Sequence, residues 1–135
     1  MKLIISTIAT AILLILLGWL FYGVIFVGHL STLYALMRPE TDFKMWAVII
    51  GSMLQGFLLS FVYMRIYEGK SPLREGLIYG LLISFLFSIP YVFYMWGSYQ
   101  VTYRAVIADA VGMGIRILLA GIVIGLIFGK KKVQV

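Results

Sequence analysis

Asp109 and Arg116 place an acid and a base seven residues apart in a strongly apolar stretch of the sequence. A carboxylate can accept a proton and a guanidinium can bind an anion, so the pair has the side chains of a proton- or anion-handling site. At 3.6 residues per turn the spacing puts both on one face of a helix, about 10 Å apart along its axis. Arg116 leans towards Asp109, but Asp109 leans away. We therefore expect a water molecule, a third group or a ligand between them.

Other side chains at matching depth could complete a polar pocket that opens outwards. They are Gln55, Ser84, Ser88, Trp19, Tyr22 and His29. Three interpretations stay open: a hydrogen-bonded latch of Asp109, Arg116 and Gln55 that fixes helix register, a pocket for a ligand or substrate, and a path for protons or ions. His29 either approaches Asp109 or only lies at the interface between membrane and water.

The composition excludes several kinds of site. The chain has no cysteine and one histidine, which rules out a disulfide, a thiol nucleophile, a zinc–thiolate site and a multi-histidine metal site. We expect no metal and no cofactor. An enzyme acting on lipids would have to use Asp109 as its base and His29 as the partner. The sequence holds no clear pairing of nucleophile and base, so absence of catalysis is favoured.

The charge and hydrophobicity indicate a membrane protein. Charged residues make up 12% of the chain and hydrophobic residues 63%, whereas a soluble domain carries about 25% charged residues. The net charge is +6, but the basic residues lie in short clusters beside apolar runs, as membrane topology signals do. We therefore expect membrane lipids as partners and no nucleic acid.

Four apolar runs are long enough to cross a bilayer, which takes roughly 20 residues. They cover about 3–27, 45–67, 72–96 and 103–128. The first run continues past the length of a signal peptide, so we expect it to be retained. The sequence predicts an all-α, polytopic membrane protein with a single domain, 1–135, whose four transmembrane helices form an antiparallel bundle.

Basic residues predict the orientation of this bundle. With four spans, both termini and the loop after the second run share one side, which holds Lys2, Arg65, Lys70, Arg74, Lys130, Lys131 and Lys132. The opposite side holds Arg38, Lys44 and Arg104. The excess predicts an integral protein of the plasma (inner) membrane with cytoplasmic N- and C-termini. The lysines at the end of the chain either anchor it at anionic headgroups or bind a partner.

Local signals predict where two helices begin. Ser71 can accept the first free amide hydrogens of the third helix, Pro72 at its first position loses no hydrogen bond, and Glu75 falls in a first turn that favours negative charge. Thr41 or Asp42 is expected to cap the second helix.

Three further features bear on surfaces and shape. A spacing of three residues predicts a surface ion pair between Arg65 and Glu68. Pro90 should kink the third helix, as a feature of bundle shape or as a hinge. The ring-rich stretch 91–103 is typical of an aromatic belt at the outer interface.

Small residues recur along the runs, mostly at a spacing of four. They are Ser52, Gly56 and Ser60; Gly76, Gly80, Ser84 and Ser88; and Ala110, Gly114, Gly121, Gly125 and Gly129. Because lipid tails are as apolar as leucine, close backbone approach through small residues does much to hold membrane helices together. The stripe at Gly121, Gly125 and Gly129 indicates either packing within the chain or a seam between two copies.

Three stretches resemble a known family. They are "LGWLFYG" in the first run, "EGLIYGLLISF" in the third and "IADAVGMGIRILLAGIVIGLI" in the fourth. Together they are similar to the bacterial four-helix membrane proteins grouped as domain of unknown function 1761. The chain departs from that pattern after Tyr22, where Gly23 stands in place of a frequent proline. The resemblance implies four helices, and it brings no activity or catalytic residue.

These observations lead to two main hypotheses. The first is a small integral membrane protein without catalysis, which acts as an accessory or packing subunit, or binds a lipid-like ligand in a polar intramembrane pocket. The alternative is a small oligomeric transporter or channel that uses Asp109 and Arg116 for an anion or a proton-coupled solute. Under either hypothesis the chain is a candidate for a homodimer or for a larger membrane complex.

Overall fold

The structure, a computed structural model, describes residues 1–21, 23 and 40–130. These residues contain four long helices, here named α1 (Lys2–Leu20), α2 (Met45–Ile66), α3 (Pro72–Ser98) and α4 (Tyr103–Phe128). A short 3₁₀ turn, Glu40–Asp42, precedes α2. All four helices are long and apolar enough to cross a membrane. The prediction of an all-α chain with four potential membrane spans is therefore confirmed.

Three helices match the apolar runs closely. α2, α3 and α4 each begin at the predicted residue. α3 continues through Pro90 and ends at Ser98. α1 is described as far as Leu20, and the predicted end of the first run at residue 27 lies outside the described residues. Hydrophobic length was thus a sufficient guide to these elements, because a bilayer selects for continuous apolar helices.

The predicted cap of α2 is wrong. Thr41 and Asp42 lie before the helix, because residues 40–42 form the 3₁₀ turn. The residue that precedes the first turn of α2 is Lys44, and it makes no side-chain capping bond. At α4, by contrast, the Thr102 hydroxyl accepts a hydrogen bond from the amide of Ala105 at 3.2 Å, which the sequence analysis did not anticipate.

The start of α3 is stabilised by Glu75 rather than by Ser71. Ser71 occupies the capping position but its side chain makes no capping hydrogen bond. The Glu75 carboxylate reaches back and accepts hydrogen bonds from the amides of Glu68, Gly69 and Lys70 at 3.0, 3.1 and 2.8 Å. The loop before α3 therefore folds over the Glu75 side chain.

The predicted ion pair between Arg65 and Glu68 is also wrong. α2 ends at Ile66, so Glu68 no longer follows the helical spacing that the prediction required. Glu68 instead contacts Lys70 at 2.6 Å. The Arg65 guanidinium lies over the ring of Phe61, 5.2 Å from its centroid.

Glycines bring α3 and α4 into backbone contact. A Cβ atom at Gly121 would lie 2.5 Å from the Cα of Gly80, and one at Gly125 would lie 2.5 Å from the Pro72 carbonyl oxygen. Neither distance is compatible with a side chain, so these two glycines pack against α3 of the same chain. Gly129 differs, since it has a φ of 65° and ends α4 with open space around it.

α1 and α2 also pack through small residues. The hydroxyls of Ser6 and Ser60 are 2.7 Å apart and buried. A Cβ atom at Gly56 would lie 2.8 Å from the Thr7 carbonyl oxygen. The predicted small-residue face of α2 is therefore the face that contacts α1.

One end of the helices holds an aromatic cluster. Tyr63 is 1% exposed, and its ring centroid lies 5.2 Å from that of Tyr79 and 5.7 Å from that of Phe128. The Tyr79 hydroxyl donates a hydrogen bond to the Leu59 carbonyl at 2.6 Å. At the same end, the Lys2 ammonium donates to the Phe128 carbonyl at 2.7 Å. The start of α1 therefore lies beside the end of α4.

Candidate functional site

Asp109 lies in the contact between α4 and α3. Its side chain is buried, with 9% exposure, and the Tyr91 hydroxyl on α3 donates a hydrogen bond to its Oδ2. Tyr91 is the first residue of the ring-rich stretch 91–103, which is predicted to form an aromatic belt. In the structure its hydroxyl contacts Asp109 on α4 instead. Tyr91 is thus a residue of the polar site that the sequence analysis missed.

Arg116 connects α4 with α1. Its Nη2 donates a hydrogen bond to the Leu14 carbonyl at 2.9 Å. A Cβ atom at Gly18 would lie 3.2 Å from the same nitrogen. The missing side chain at Gly18 therefore gives the guanidinium room beside the backbone of α1. The first glycine of the "LGWLFYG" stretch, Gly18, thus has a physical role.

The acid and the base therefore contact different helices. Tyr91 joins Asp109 to α3, and Leu14 joins Arg116 to α1, so the two ends of one face of α4 are held by different neighbours. The arrangement is able to hold α1, α3 and α4 at fixed relative positions. In these two contacts the partners are a phenol and a backbone carbonyl, rather than Gln55, Ser84 or Ser88.

Two predicted site residues lie apart from these contacts. Gln55 is on the exposed surface of α2, and Trp19 on α1 is 68% exposed. Gly56 and the small residues near it face α1. Gln55 therefore lies beside this contact rather than inside it. Their exposed positions do not support the expectation that Gln55 and Trp19 line, with Asp109 and Arg116, a polar pocket that opens outwards. Tyr22 and His29 lie outside the described residues.

Ser84 and Ser88 belong to a separate groove, the α3–α4 groove. It has a volume of about 340 Å³ and is lined by Leu81, Ser84, Phe85, Ser88, Ile89, Val92, Ile107, Ala110, Val111, Gly114, Ile115 and Leu118. A Cβ atom at Gly114 would lie 3.2 Å from the Ser88 hydroxyl oxygen and 3.7 Å from that of Ser84. No charged side chain lines it within the described structure, so this groove offers an apolar surface with two hydroxyls.

A second groove, the α2–α3 groove, lies where the loop between α2 and α3 enters α3. Its volume is about 550 Å³, and its lining residues are Tyr63, Ile66, Tyr67, Glu68, Lys70, Ser71, Arg74, Glu75, Ile78, Tyr79, Leu82 and Ile83. This groove was not predicted, because its basic residues, Lys70 and Arg74, also fit the pattern of topology signals. The signal that could have revealed it is Arg74, Ile78 and Leu82 at a spacing of four, which puts a cation and two apolar side chains on one helix face.

The described side chains offer little for metal chemistry. Within residues 1–21, 23 and 40–130, no cluster of three or more His, Cys, Asp or Glu residues could hold a metal ion. What the Asp109 and Arg116 contacts can do chemically is to donate and accept hydrogen bonds between helices.

No family model, no curated protein and no solved structure matches the chain. The resemblance to domain of unknown function 1761 therefore stays a prediction.

Proposed function

We propose that this chain is a non-catalytic integral membrane protein that acts as an accessory or packing subunit in a membrane complex. Its surface for association is one face of α2, formed by Ala47, Gly51, Gln55, Leu58 and Val62, and called here the α2 outer face. The observation that carries the proposal is Gln55, which is exposed on this face at the middle of an apolar helix.

The membrane arrangement is an antiparallel four-helix bundle. Contacts between the start of one helix and the end of another support it. Lys2 at the start of α1 contacts Phe128 at the end of α4, and Ser6 of α1 contacts Ser60 in the second half of α2. Along α3 and α4, Gly76 lies beside Gly121 and Gly125, and Ser88 lies beside Gly114. The excess of basic residues on the side of both termini supports a cytoplasmic position for them, in the plasma (inner) membrane.

Burial of the ionisable groups fits a structural role for them. A charged side chain at the bilayer centre costs at least ~2.5–3.5 kcal/mol on insertion scales, whereas one interhelical hydrogen bond contributes about 0.6 kcal/mol on average. The contacts of Asp109 and Arg116 therefore serve mainly to avoid that cost. Because they also fix which face of α4 meets α1 and α3, they hold the bundle in one arrangement.

The α2 outer face offers what a further membrane helix needs. All five of its residues are exposed, and a Cβ atom at Gly51 would have no heavy atom within 4 Å. Small residues allow a second backbone to approach, and a Gln amide at membrane depth gains a hydrogen bond only if another helix supplies a partner. Hydrocarbon cannot supply one, which favours association over isolation.

Cross-linking in native membranes tests the subunit role. The chain has no cysteine, so Ala47→Cys introduces a single reactive thiol on the α2 outer face. We expect a bifunctional thiol reagent to give one defined cross-linked species, either a homodimer or an adduct with another membrane protein. Adding Gln55→Leu should reduce its yield about fivefold, while Gln55→Asn, which keeps an amide, should preserve most of it.

A cysteine on a different exposed face gives the matched control. Leu86 on α3 is also exposed, and Leu86→Cys should yield no defined species. Equal cross-linking from positions 47 and 86, or no cross-linking from position 47, would overturn the proposed role.

Thiol labelling from each side of the membrane tests the arrangement separately. We expect Glu68→Cys to be labelled by an impermeant reagent only after the cytoplasmic side is exposed, and Gln100→Cys in intact cells. Labelling of both positions from the same side would contradict the four-span antiparallel bundle.

A further inference from the structure

The α2–α3 groove changes from charged to apolar along its length. Arg74, Ile78 and Leu82 all line it, at a spacing of four on α3. Each step of four residues advances about 6 Å along the helix. The groove therefore presents a cation at the helix start and apolar side chains about 6 and 12 Å further into the membrane-spanning segment.

Arg74 is the cation available at the rim of this groove. Lys70 contacts Glu68 at 2.6 Å, and the Glu75 carboxylate accepts backbone amides of the loop. These three side chains are thus engaged with one another or with the backbone. Within the described part of the chain, the exposed Arg74 guanidinium makes no hydrogen bond or ion pair. It can therefore bind an anion.

Tyr63 packs at the inner side of the groove. Tyr63 lines the groove and is 1% exposed. Its hydroxyl oxygen has no hydrogen-bond partner among the described residues, unlike that of Tyr79, which donates to the Leu59 carbonyl. That hydroxyl is fully covered, so the surface that a ligand in the groove would meet is formed by the other lining side chains.

We propose that the α2–α3 groove binds one phospholipid, with its phosphate at the Arg74 guanidinium and one acyl chain along Ile78 and Leu82. The inference rests on the membrane placement proposed above and is independent of association through the α2 outer face. A planar guanidinium can donate two parallel hydrogen bonds to the oxygens of a phosphate, and a phospholipid joins that group to acyl chains that suit Ile78 and Leu82.

Native mass spectrometry of the full chain tests lipid binding directly. The protein is released from a mild detergent that contains equal amounts of dioleoyl phosphatidylglycerol and dioleoylglycerol, which share their acyl chains and differ in the phosphate. We expect one phosphatidylglycerol per chain to be retained in preference to dioleoylglycerol. Arg74→Gln should lower its retention about tenfold, as expected for loss of a charge-assisted hydrogen bond.

Two further variants separate the headgroup from the acyl chain. Leu82→Trp fills the apolar part of the groove at a side chain that is 63% exposed, so the fold should tolerate it while phosphatidylglycerol retention falls. Arg104→Gln removes an exposed arginine at the start of α4, away from this groove, and should leave retention unchanged. Millimolar inorganic phosphate should not displace the lipid, because phosphate alone lacks the contacts with Ile78 and Leu82.

Three results would overturn the phospholipid site. They are equal retention by the wild-type chain and Arg74→Gln, equal retention of phosphatidylglycerol and dioleoylglycerol, and full displacement by inorganic phosphate. Because the lipid adduct is measured on a single chain, its absence would leave the cross-linking result at Ala47→Cys unaffected.

Discussion

The Tyr91 hydroxyl on α3 donates a hydrogen bond to the carboxylate of Asp109 on α4. Removing that donor leaves the buried carboxylate with one hydrogen bond fewer, so Tyr91→Phe should lower the free energy of unfolding by about 1–3 kcal/mol. Unfolding in mixed micelles with increasing denaturing detergent measures this change. Tyr94→Phe, at an exposed tyrosine one turn away, is the control and should have little effect. Equal stability of the two variants would show that the Tyr91 contact does not hold the helices.

Gly18 and Arg116 should be energetically coupled. Gly18→Ala puts a methyl group 3.2 Å from the guanidinium nitrogen, and crowding of this kind costs about 1 kcal/mol or more. In an Arg116→Ala background the same methyl group has space, so its cost should largely disappear. A double-mutant cycle on unfolding free energies measures the coupling. Additive effects of the two substitutions would mean that Gly18 does not make room for Arg116.

The α3–α4 contact should not tolerate a methyl group at Gly121. Its Cβ would lie 2.5 Å from the Cα of Gly80, so Gly121→Ala must separate the helices and should cost about 1–3 kcal/mol. Gly97→Ala on α3 is the matched control, since its Cβ would have no heavy atom within 4 Å. Comparing the unfolding free energies of both variants with the wild type checks this. Similar stabilities would contradict close backbone packing at Gly121.

Glu75 should order the loop between α2 and α3. Glu75→Gln removes the charge that strengthens hydrogen bonds from three loop amides, and such charge-assisted bonds are roughly twice as strong as neutral ones. We expect faster amide hydrogen exchange at residues 68–70 with unchanged exchange in α4. Ser71→Ala should leave the same amides protected, because Ser71 makes no capping bond. Faster exchange in Ser71→Ala but not in Glu75→Gln would reverse the two roles.

The sequence predicted the helices well because each is a continuous apolar run that is long enough to cross a membrane. The bounds of α2, α3 and α4 follow from apolar runs, with Pro72 marking the start of α3. The internal role of Gly121 and Gly125 was one of two open interpretations, because spacing alone does not say which backbone a glycine faces. The contact with α3 decides it.

The partners of the polar residues were not predictable in the same way. In a soluble helix the apolar face marks the core, but a membrane helix is apolar on every side. The orientation of Gln55 therefore could not be read from periodicity, and it is exposed rather than beside Arg116. Tyr91 was missed for a related reason, since tyrosine near a helix end suits both an aromatic belt and an internal hydrogen bond.

We propose that α4 turns Asp109 and Arg116 inwards, away from lipid. Solid-state NMR of the chain in bilayers tests it through the distance between the Arg116 guanidinium nitrogens and the Leu14 carbonyl carbon, with ¹⁵N-arginine and ¹³C-carbonyl leucine labels. We expect strong dipolar coupling that disappears in Arg116→Lys, which lacks the labelled guanidinium, and no magnetisation transfer from acyl chains to Arg116. Absence of that coupling, together with transfer from lipid acyl chains to the Arg116 guanidinium, would contradict the account.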